Sequence, residues 1–528
     1  MVLLGSKGTE MIRSILKSLL KSEAYPEPTN KVELVQTHVS WIFLTETHAY
    51  KIKKPVDFGF LNFSTIDRRR FYCNEEVKYN RRLCPDIYEG VVELRKTPDG
   101  AAFYGEGPVL DYAVKMKRLP AARMLDQLVI KKEITSDEMK EVARLIAEFH
   151  RNAPTSSTIA EYGSLDRIMF NWQENFEQAM PFENTTLPAV EREYIRTWVN
   201  NFVTENAAHL NERVQNGFIR ECDGDIHLEN ICLHNDKVCI FDCIEFNERF
   251  RCCDTAADVA FLLMDLDFHG RHDLAETVVN TYMEISDDRG ILLLIDFYKI
   301  YRAFVRGKVE SFILNDPSID QVDRKKVLAR AIGYFRLARG YIQRRKLQQT
   351  LFITCGLMGS GKSTLAAQLS LELGLPLISS DIVRKKLAGL DPETPVPVSY
   401  GEGIYSHEKN KDTYKELIKL AEAELAAGRS VIIDAAFIRK QNRTQCLSCA
   451  SQYAAAFVIL HLSCNDTENR RRLAERSTES RSVSDGRFEL LALQQQEFEP
   501  PEEQEGMLIS LPAASPSYLT SIIYERIG

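Results

Sequence analysis

At 528 residues the chain is too long for a single hydrophobic core, and two or three domains are expected. Apolar residues make up 44% and charged residues 27%, and a net charge of −8 leaves no global basic field that would draw the chain to nucleic acid or an anionic membrane. No apolar run reaches the roughly 18–20 residues of a membrane span. The opening MVLLGSKGTEMIRSILKSLLKSEAYP lacks the unbroken apolar stretch of a secretory signal and reads as a short amphipathic helix from Met11 to Leu20. The expected location is the cytoplasm, with no membrane partner.

From about residue 30 the pattern turns to strands. HVSWIFL and HAYKIKK alternate around the polar turn TET, as a hairpin does. The charged helix TIDRRRFYCNEEVKYNRRLC follows, and then the strand-like GVVELRK and YAVKMKRL. Between about 134 and 215 the periodicity is helical, in SDEMKEVARLIAEFH and EREYIRTWVNNFVTENAAHL. A short strand-and-loop insert at 218–246 precedes further helix to about 345. The coarse expectation is a small β-rich lobe leading a larger helical lobe.

The 12 cysteines fit a reducing compartment as free thiols. Six fall between Cys222 and Cys253 without any CxxC pair, and Cys446–Cys449 has no second pair to complete a zinc site. Most are expected as small buried hydrophobes.

After Thr350 short apolar strands (LFITC, LPLIS, SVIID, AFVILHL) alternate with helices, which argues for a parallel α/β sheet. The expected divisions are an N-terminal helical extension over 1–30, a two-lobe α+β domain over 31–345 and an α/β domain over 350–528. The basic run DRKKVLARAIGYFRLARGYIQRRKLQQT is expected to be a closing helix with a solvated face that doubles as connector.

GLMGSGKS satisfies G-x-x-x-x-G-K-[ST], with an apolar strand before it and a helix after it. Gly356, Gly359, Ser360 and Gly361 would turn backbone N–H groups toward phosphate, with Thr364 at the helix start. Lys362 would reach the β- and γ-phosphates, and Ser363 would hold Mg²⁺. Asp381 and Arg384 share one helix face in ISSDIVRKKL. They suit a proton-accepting carboxylate and a charge-neutralising arginine, or equally an N-cap and an exposed side chain. Asp434 ends a buried strand, where a second Mg²⁺-shell carboxylate, or a residue with a structural or acceptor-side role, would sit. ENRRRLAERSTESR places Arg472 and Arg476 one helical turn apart, with Arg481 beyond.

Within ECDGDIHLENICLHNDKVCIFDCIEF, Asp225 and Asn230 have the spacing D-x-x-x-x-N, and a hairpin leads to Asp242. One carboxylate can take a proton from an acceptor hydroxyl, while an amide oxygen and a second carboxylate hold Mg²⁺ against ATP phosphates. In the small lobe Lys53 closes YKIK, with Lys51 on the same strand face; Glu76, or its rival Glu75, is the helix partner. Met116 to Leu119 reads as the interlobe hinge.

DGDIHLEN resembles the H-G-D-x-H-x-x-N loop of aminoglycoside phosphotransferases and choline-kinase-like small-molecule kinases, with Asp223 where histidine is usual. The resemblance implies a catalytic Asp225, a bracing His227, a supporting Asp258 in DTAADVAFLL, an adenine pocket at Met116, and ATP contacts from Lys53 and Glu76. An extra carboxylate at Asp223 is expected to raise the Asp225 carboxyl or to disturb the loop. The P-loop followed by D-x-x-R resembles small P-loop kinases, including polynucleotide, zeta-toxin-like and gluconate kinases. That likeness implies Asp381 as acceptor-side base, Arg384 as acceptor or transition-state contact, and Arg476 or a neighbour in a lid over ATP.

YKIKKPVDFGFLNFST, NRRLCPDIY and FDCIEFNERFR extend the likeness. The whole chain resembles the bacterial bifunctional aminoglycoside-phosphotransferase-like/ATP-binding protein family. This implies a protein-kinase-like domain followed by a P-loop kinase domain, with ATP and Mg²⁺ as cofactors. The implied activity is transfer of the γ-phosphate to a small-molecule or nucleotide-like hydroxyl acceptor, nucleic acid entering only as a kinase substrate. Two alternatives stand beside it: turnover in the P-loop half alone, and a nucleotide-gated switch.

Overall fold

The computed structural model describes residues 6–235, 237–316, 319–391, 402–464, 469, 471–472 and 488–527. It divides into two compact units, Met1–Phe335 and Arg336–Gly528. The division falls inside the helix Gln321–Lys346 and so ahead of the expected 345. Arg336 already belongs to the second unit, where its guanidinium lies 2.5 Å from the buried Glu372 carboxylate.

The first unit is a two-lobe α+β domain. Its small lobe is a six-stranded antiparallel sheet in the order β1 (Glu33–Gln36), β2 (Ser40–Leu44), β3 (His48–Lys53), β6 (Val109–Lys117), β4 (Tyr88–Thr97), β5 (Gly100–Ala102). Alternation along β2 and β3 sends Phe43, Tyr50 and Ile52 to one face, where Leu94 and Ala113 join them. Leu19, Ala24 and Tyr25 pack into the same cluster, so the N-terminal helix Ser6–Leu19 leads into the core of this lobe. The period of two turns Lys51 and Lys53 to the opposite face. There the helix Ile66–Asn80 buries Cys73, Glu76 and Val77 after an N-cap in which Thr65 accepts from Arg68 N–H.

The large lobe is helical. Its centre is the helix Thr255–Phe268, buried from Thr255 through Asp267 and packed against His272–Ser286 and Ile291–Ile313. The predicted helix over 191–210 is two helices, Ala189–Glu205 and Ala207–Gln215, divided at Asn206. Two small antiparallel pairs stand beside the helices: β7 (Ile219–Glu221) with β10 (Cys252–Asp254), and β8 (Ile231–His234) with β9 (Lys237–Ile240).

The second unit is an α/β domain whose five-stranded sheet is parallel throughout. Its order is β12 (Leu377–Ser379), β13 (Val431–Asp434), β11 (Thr350–Cys355), β14 (Ala456–Leu462), β15 (Met507–Leu511). β11 is buried along its whole length, as a central strand covered on both faces must be. Cys446 and Cys449 lie in one of the two cores flanking this sheet, as small hydrophobes. Among the described residues no helix is long and apolar enough to cross a membrane.

The reading of all cysteines as free thiols is corrected at one pair. Cys84 and Cys239 are joined as a disulfide with a Cα–Cα distance of 5.0 Å. The turn after Ile66–Asn80 brings Cys84 against β9, inside a cluster that also holds Cys73, Val77, Tyr88 and Val114. Closing a loop of this length should stabilise the unit by about 2–5 kcal/mol through the unfolded chain. Proteolysis without reductant should therefore release the Cys84 and Cys239 peptides linked, and Cys84→Ser should lower the unfolding free energy by that amount. Alkylation of both thiols in unreduced, denatured protein would contradict the pairing.

Candidate functional site

The first cluster forms where β3, the helix Ile66–Asn80 and the β8–β9 hairpin meet. Glu76, fully buried, bridges two lysines: its Oε1 lies 2.9 Å from Lys51 Nζ and its Oε2 2.6 Å from Lys53 Nζ. Lys51 also pairs with Asp242, and Lys53 with Glu245. Burial pushes the Glu76 carboxyl up, but the two ammonium groups outweigh it and hold it near 2. Burial lowers Lys51 and Lys53, and their carboxylate partners more than restore them, so both are raised. Glu75 instead faces outward and pairs with Lys78 at 3.1 Å.

The two strand lysines are not equivalent. Lys53 is 1% exposed and closed between Glu76 and Glu245, whereas Lys51 reaches the half-exposed Asp242. Of the two, Lys51 is therefore the one beside the open edge of the cluster, and Lys53 the one enclosed. Glu245 escaped sequence reading. A strand period of two would send it and Asp242, three residues apart in FDCIEF, to opposite faces, so the pattern gave no signal for it.

Asp225, Asn230 and Asp242 come together through a dense set of local bonds. Asn230 Nδ2 donates to Asp225 Oδ2 at 3.0 Å and to the Asp225 carbonyl at 3.1 Å. Phe241 N–H donates to the Asn230 carbonyl at 3.0 Å, and Ile244 N–H to the Asp223 carbonyl at 3.2 Å. Between them Asp242 adopts φ +66°, a left-handed conformation rare for a non-glycine residue. Its N–H donates to the Tyr88 hydroxyl at 3.2 Å, while the next N–H, of Cys243, donates to Asn80 Oδ1 at 2.9 Å. The small lobe thus grips both sides of the strained residue.

Asp258 braces the loop from below. Its carboxylate accepts the N–H groups of Asp223 at 3.0 Å and Gly224 at 2.9 Å, with His150 Nε2 3.1 Å away. Arg302 Nη1 donates to the Gly224 carbonyl at 2.9 Å. His227 Nε2 lies 3.5 Å from Asp225 Oδ2.

The expectation that Asp223 raises Asp225 or disturbs the loop is corrected. Asp223 is 1% exposed and turned inward, where its Oδ1 accepts the Asp225 N–H at 3.1 Å. Burial, and then Asp258, drive Asp223 well above the carboxylate range and favour its neutral form. Burial alone would raise Asp225 too, but His227, with Arg306 and Arg302 behind it, leaves Asp225 below its ordinary value.

Among the hinge residues, Met116 lies within β6, opposite Ala49 on β3 and Tyr88 on β4. It packs partly buried beside Leu119. The chain leaves the sheet after Lys117, and Arg118 N–H is held by the Thr47 carbonyl at 2.8 Å.

The second cluster is the loop between β11 and the helix Lys362–Leu373. Gly356, Gly359 and Gly361 have φ of +139°, +79° and +98°. A Cβ on Gly356 would meet the Leu462 carbonyl at 2.4 Å, so only glycine allows this turn. Lys362 Nζ donates back to the Leu357 carbonyl at 2.7 Å, and the buried Ser360 hydroxyl has no hydrogen-bond partner among the described residues. Ser363 and Thr364 are exposed on the first turn of the helix. Met358 N–H donates to Gln494 Oε1 at 2.7 Å, a contact that sequence reading did not foresee, since Gln494 stands in the unremarkable run LQQQE.

Parallel pairing sets Asp434 at the end of β13, beside β12 Ser379, and its Oδ1 accepts from Thr354 Oγ1 of β11 at 3.1 Å. On the helix Ser380–Leu387, Arg384 Nη1 donates to Asp381 Oδ1 at 2.8 Å and Nη2 to Asn410 Oδ1 at 3.1 Å. The Arg384 guanidinium also lies over the Tyr405 ring at 4.6 Å. Arg472 Nη1 lies 3.4 Å from the Ser360 carbonyl, which it approaches as a donor. Arg476 and Arg481 lie outside the described residues.

Both clusters carry oxygen donors of the kind a hard cation takes. The amide nitrogen of Asn230 is committed to Asp225, so its oxygen is the atom left to face a cation beside the half-exposed Asp242 carboxylate. Oxygen-only donors suit Mg²⁺. In the second unit the oxygen-bearing side chains expected for that role are Ser363, exposed on the first helix turn, and Asp434, held by Thr354.

Residues 351–501 match a protein-family model described as an AAA domain. Two uncharacterized proteins, Rv2004c of Mycobacterium tuberculosis (strain ATCC 25618 / H37Rv) and Mb2027c of Mycobacterium bovis (strain ATCC BAA-935 / AF2122/97), are each 28% identical over 438 residues. Those alignments cover 83% of this chain and 84% of either protein. Among solved structures, a choline/ethanolamine kinase family protein from Mesorhizobium loti is similar over 62% of this chain and 95% of its own, at 14% identity and a TM-score of 0.40. A sugar kinase from Janibacter sp. HTCC2649 is similar over 34% of this chain and 96% of its own, at 20% identity and a TM-score of 0.26.

Removing the Glu76 charge leaves two buried ammonium groups short of a partner. Glu76→Gln is expected to destabilise the first unit by about 3–5 kcal/mol, read from denaturant unfolding. The folded carboxyl sits below its ordinary 4.5, near 2. The unfolded chain therefore binds the extra proton between those values, and the contribution of Glu76 is complete above pH 4.5 and lost as pH falls toward 2. The stability of wild type relative to Glu76→Gln should shrink across that window, and a constant difference would contradict the network.

Proposed function

We propose that the chain is an ATP-dependent phosphotransferase with two Mg·ATP sites, of the bifunctional aminoglycoside-phosphotransferase-like/ATP-binding kind. The observation that carries this reading is the convergence of Lys51, Glu76, Asp225, Asn230 and Asp242 in one unit, with a glycine-lined phosphate loop in the other. Lys51, steered by Glu76, binds the α- and β-phosphates of the first nucleotide. Met116 and the chain beyond Lys117 receive its adenine.

Asp225 orients the acceptor hydroxyl and takes its proton as the oxygen attacks the γ-phosphorus and ADP departs. Its lowered carboxyl keeps it ionised for that purpose. Asn230 and Asp242 would hold Mg²⁺, which would supply neutralisation of the phosphate charge. In the second unit the N–H groups from Gly356 to Ser363, together with Lys362, cradle the phosphates. Ser363 and Asp434 hold the cation, Asp381 accepts the acceptor proton, and Arg384 keeps that carboxylate in place. Arg476 is assigned to the lid over ATP. Neither unit needs a covalent intermediate.

The family's antibiotic label rests on fold analogy and names no acceptor. ADP release by the full chain across sugars, nucleosides, oligonucleotides and aminoglycosides tests the reading. Asp225→Asn should cost about 10²- to 10⁴-fold in the turnover of one acceptor set, and Asp381→Asn a similar factor in another. Loss with Asp381→Asn alone would leave the P-loop unit as the single kinase. Nucleotide binding without phosphate on any acceptor would leave a switch.

A further inference from the structure

Beside the Asp225 loop the first unit gathers cations that the phosphate chemistry does not use. Helix Ile291–Ile313 brings Arg302, Arg306 and Lys308, and the short helix Glu248–Arg251 brings Arg249. Both elements touch the loop. Arg302 donates to the Gly224 carbonyl at 2.9 Å, and a Cβ on Gly224 would lie 2.7 Å from the carbonyl of Phe250.

Arg249 Nη2 donates to Glu174 Oε2 at 2.8 Å, whereas its Nη1 is buried with no hydrogen-bond partner among the described residues. The guanidinium is clamped between two rings, 5.1 Å from Phe170 and 4.8 Å from Phe250, so it cannot swing out to water cheaply. Lys308 Nζ is held by two neutral oxygens, Asn175 Oδ1 at 2.6 Å and Gln178 Oε1 at 2.7 Å. Burial drops its ammonium to about 8, which nearby Glu174 only partly offsets and Arg249 accentuates. Arg306 lies 3.5 Å from the exposed Glu229 carboxylate. Arg302 also has Asp258 at 3.9 Å and Arg306 has Glu310 at 3.9 Å, whereas among the described residues Glu174 is the carboxylate set against both Arg249 and Lys308. A buried guanidinium N–H without an acceptor is costly in a protein that leaves it so.

Building on the reading of Asp225 as the acceptor-side base, we propose that Arg249 and Lys308 form an oxyanion-reading subsite. The acceptor of the first unit is then a hydroxylated metabolite that carries a carboxylate or phosphate group. Arg249 offers Nη1 to that group, and Lys308 supplies the second positive charge. The opposite sign is also present nearby: Glu161 and Asp166, with Arg167, line a cavity of about 430 Å³ at Phe170. A polycationic acceptor is therefore the competing outcome.

Two measurements on the full chain decide it. First, Asp225-dependent ADP release is compared for glucose, glucose 6-phosphate, gluconate, choline and kanamycin. An anionic acceptor should be preferred, with Arg249→Gln and Lys308→Met each raising its KM by about ten- to hundredfold. Asp225-dependent turnover of only a neutral or cationic acceptor overturns this inference and leaves the kinase reading standing. Turnover that ignores Asp225→Asn overturns both. Second, inorganic phosphate is titrated into the chain at saturating ADP and Mg²⁺, which needs no turnover. Wild type should show a binding class that Arg249→Gln weakens by about tenfold or more, and equal phosphate binding by wild type and both variants overturns the subsite.

Discussion

The buried charge network centred on Glu76 is the constraint on which the first unit depends. Glu76 and its two lysines sit where water does not reach, and each buried ion costs several kcal/mol unless it is paired. Lys51, Lys53, Glu76, Glu245 and Asp242 pair one another, and no single member can leave without stranding another. The lysines come from β3, Glu76 from the helix across the sheet, and Asp242 and Glu245 from the segment after the hairpin. One electrostatic condition therefore fixes the small lobe against the element that carries the candidate metal ligand.

That condition extends to the loop through hydrogen bonds. Asn80, on the same helix as Glu76, holds the N–H after Asp242, and Tyr88 holds that of Asp242 itself. The left-handed backbone at Asp242 is kept because both of its neighbours are committed. On the other side Asp258 and Arg302 hold Asp223 and Gly224 from the large lobe. The three oxygen-bearing side chains are thus positioned before any ligand arrives, which is what a site working by placement and charge requires. The Cys84–Cys239 bond ties the same two neighbourhoods covalently. The second unit reaches a similar end by other means, with three left-handed glycines and a helix N-terminus instead of a salt network.

Much of this was legible in the sequence, because the signals were local. The hairpin pattern around TET gave β2 and β3, and the apolar runs after Thr350 gave four of the parallel strands. The fixed spacings of D-x-x-x-x-N and GLMGSGKS marked the two loops. What escaped depends on tertiary geometry. Lys51 and Lys53 share a strand face, so only the location of Asp242 and Glu245 separates them. Asp223 read as an electrostatic disturbance until its inward orientation was known. β15 and the β7–β10 pair were missed because MLISL, IRE and CCD are too short to show a period. The Cys84–Cys239 pair joins residues far apart in the chain, which no spacing rule reports.

Nucleotide stoichiometry tests the central claim most directly. Equilibrium binding of a non-hydrolysable ATP analogue with Mg²⁺ to the full chain should saturate at two nucleotides per chain. Lys362→Ala should remove one class of sites, and Asp242→Ala the other. Saturation at one nucleotide per chain, abolished by Lys362→Ala and indifferent to Asp242→Ala, would contradict the account.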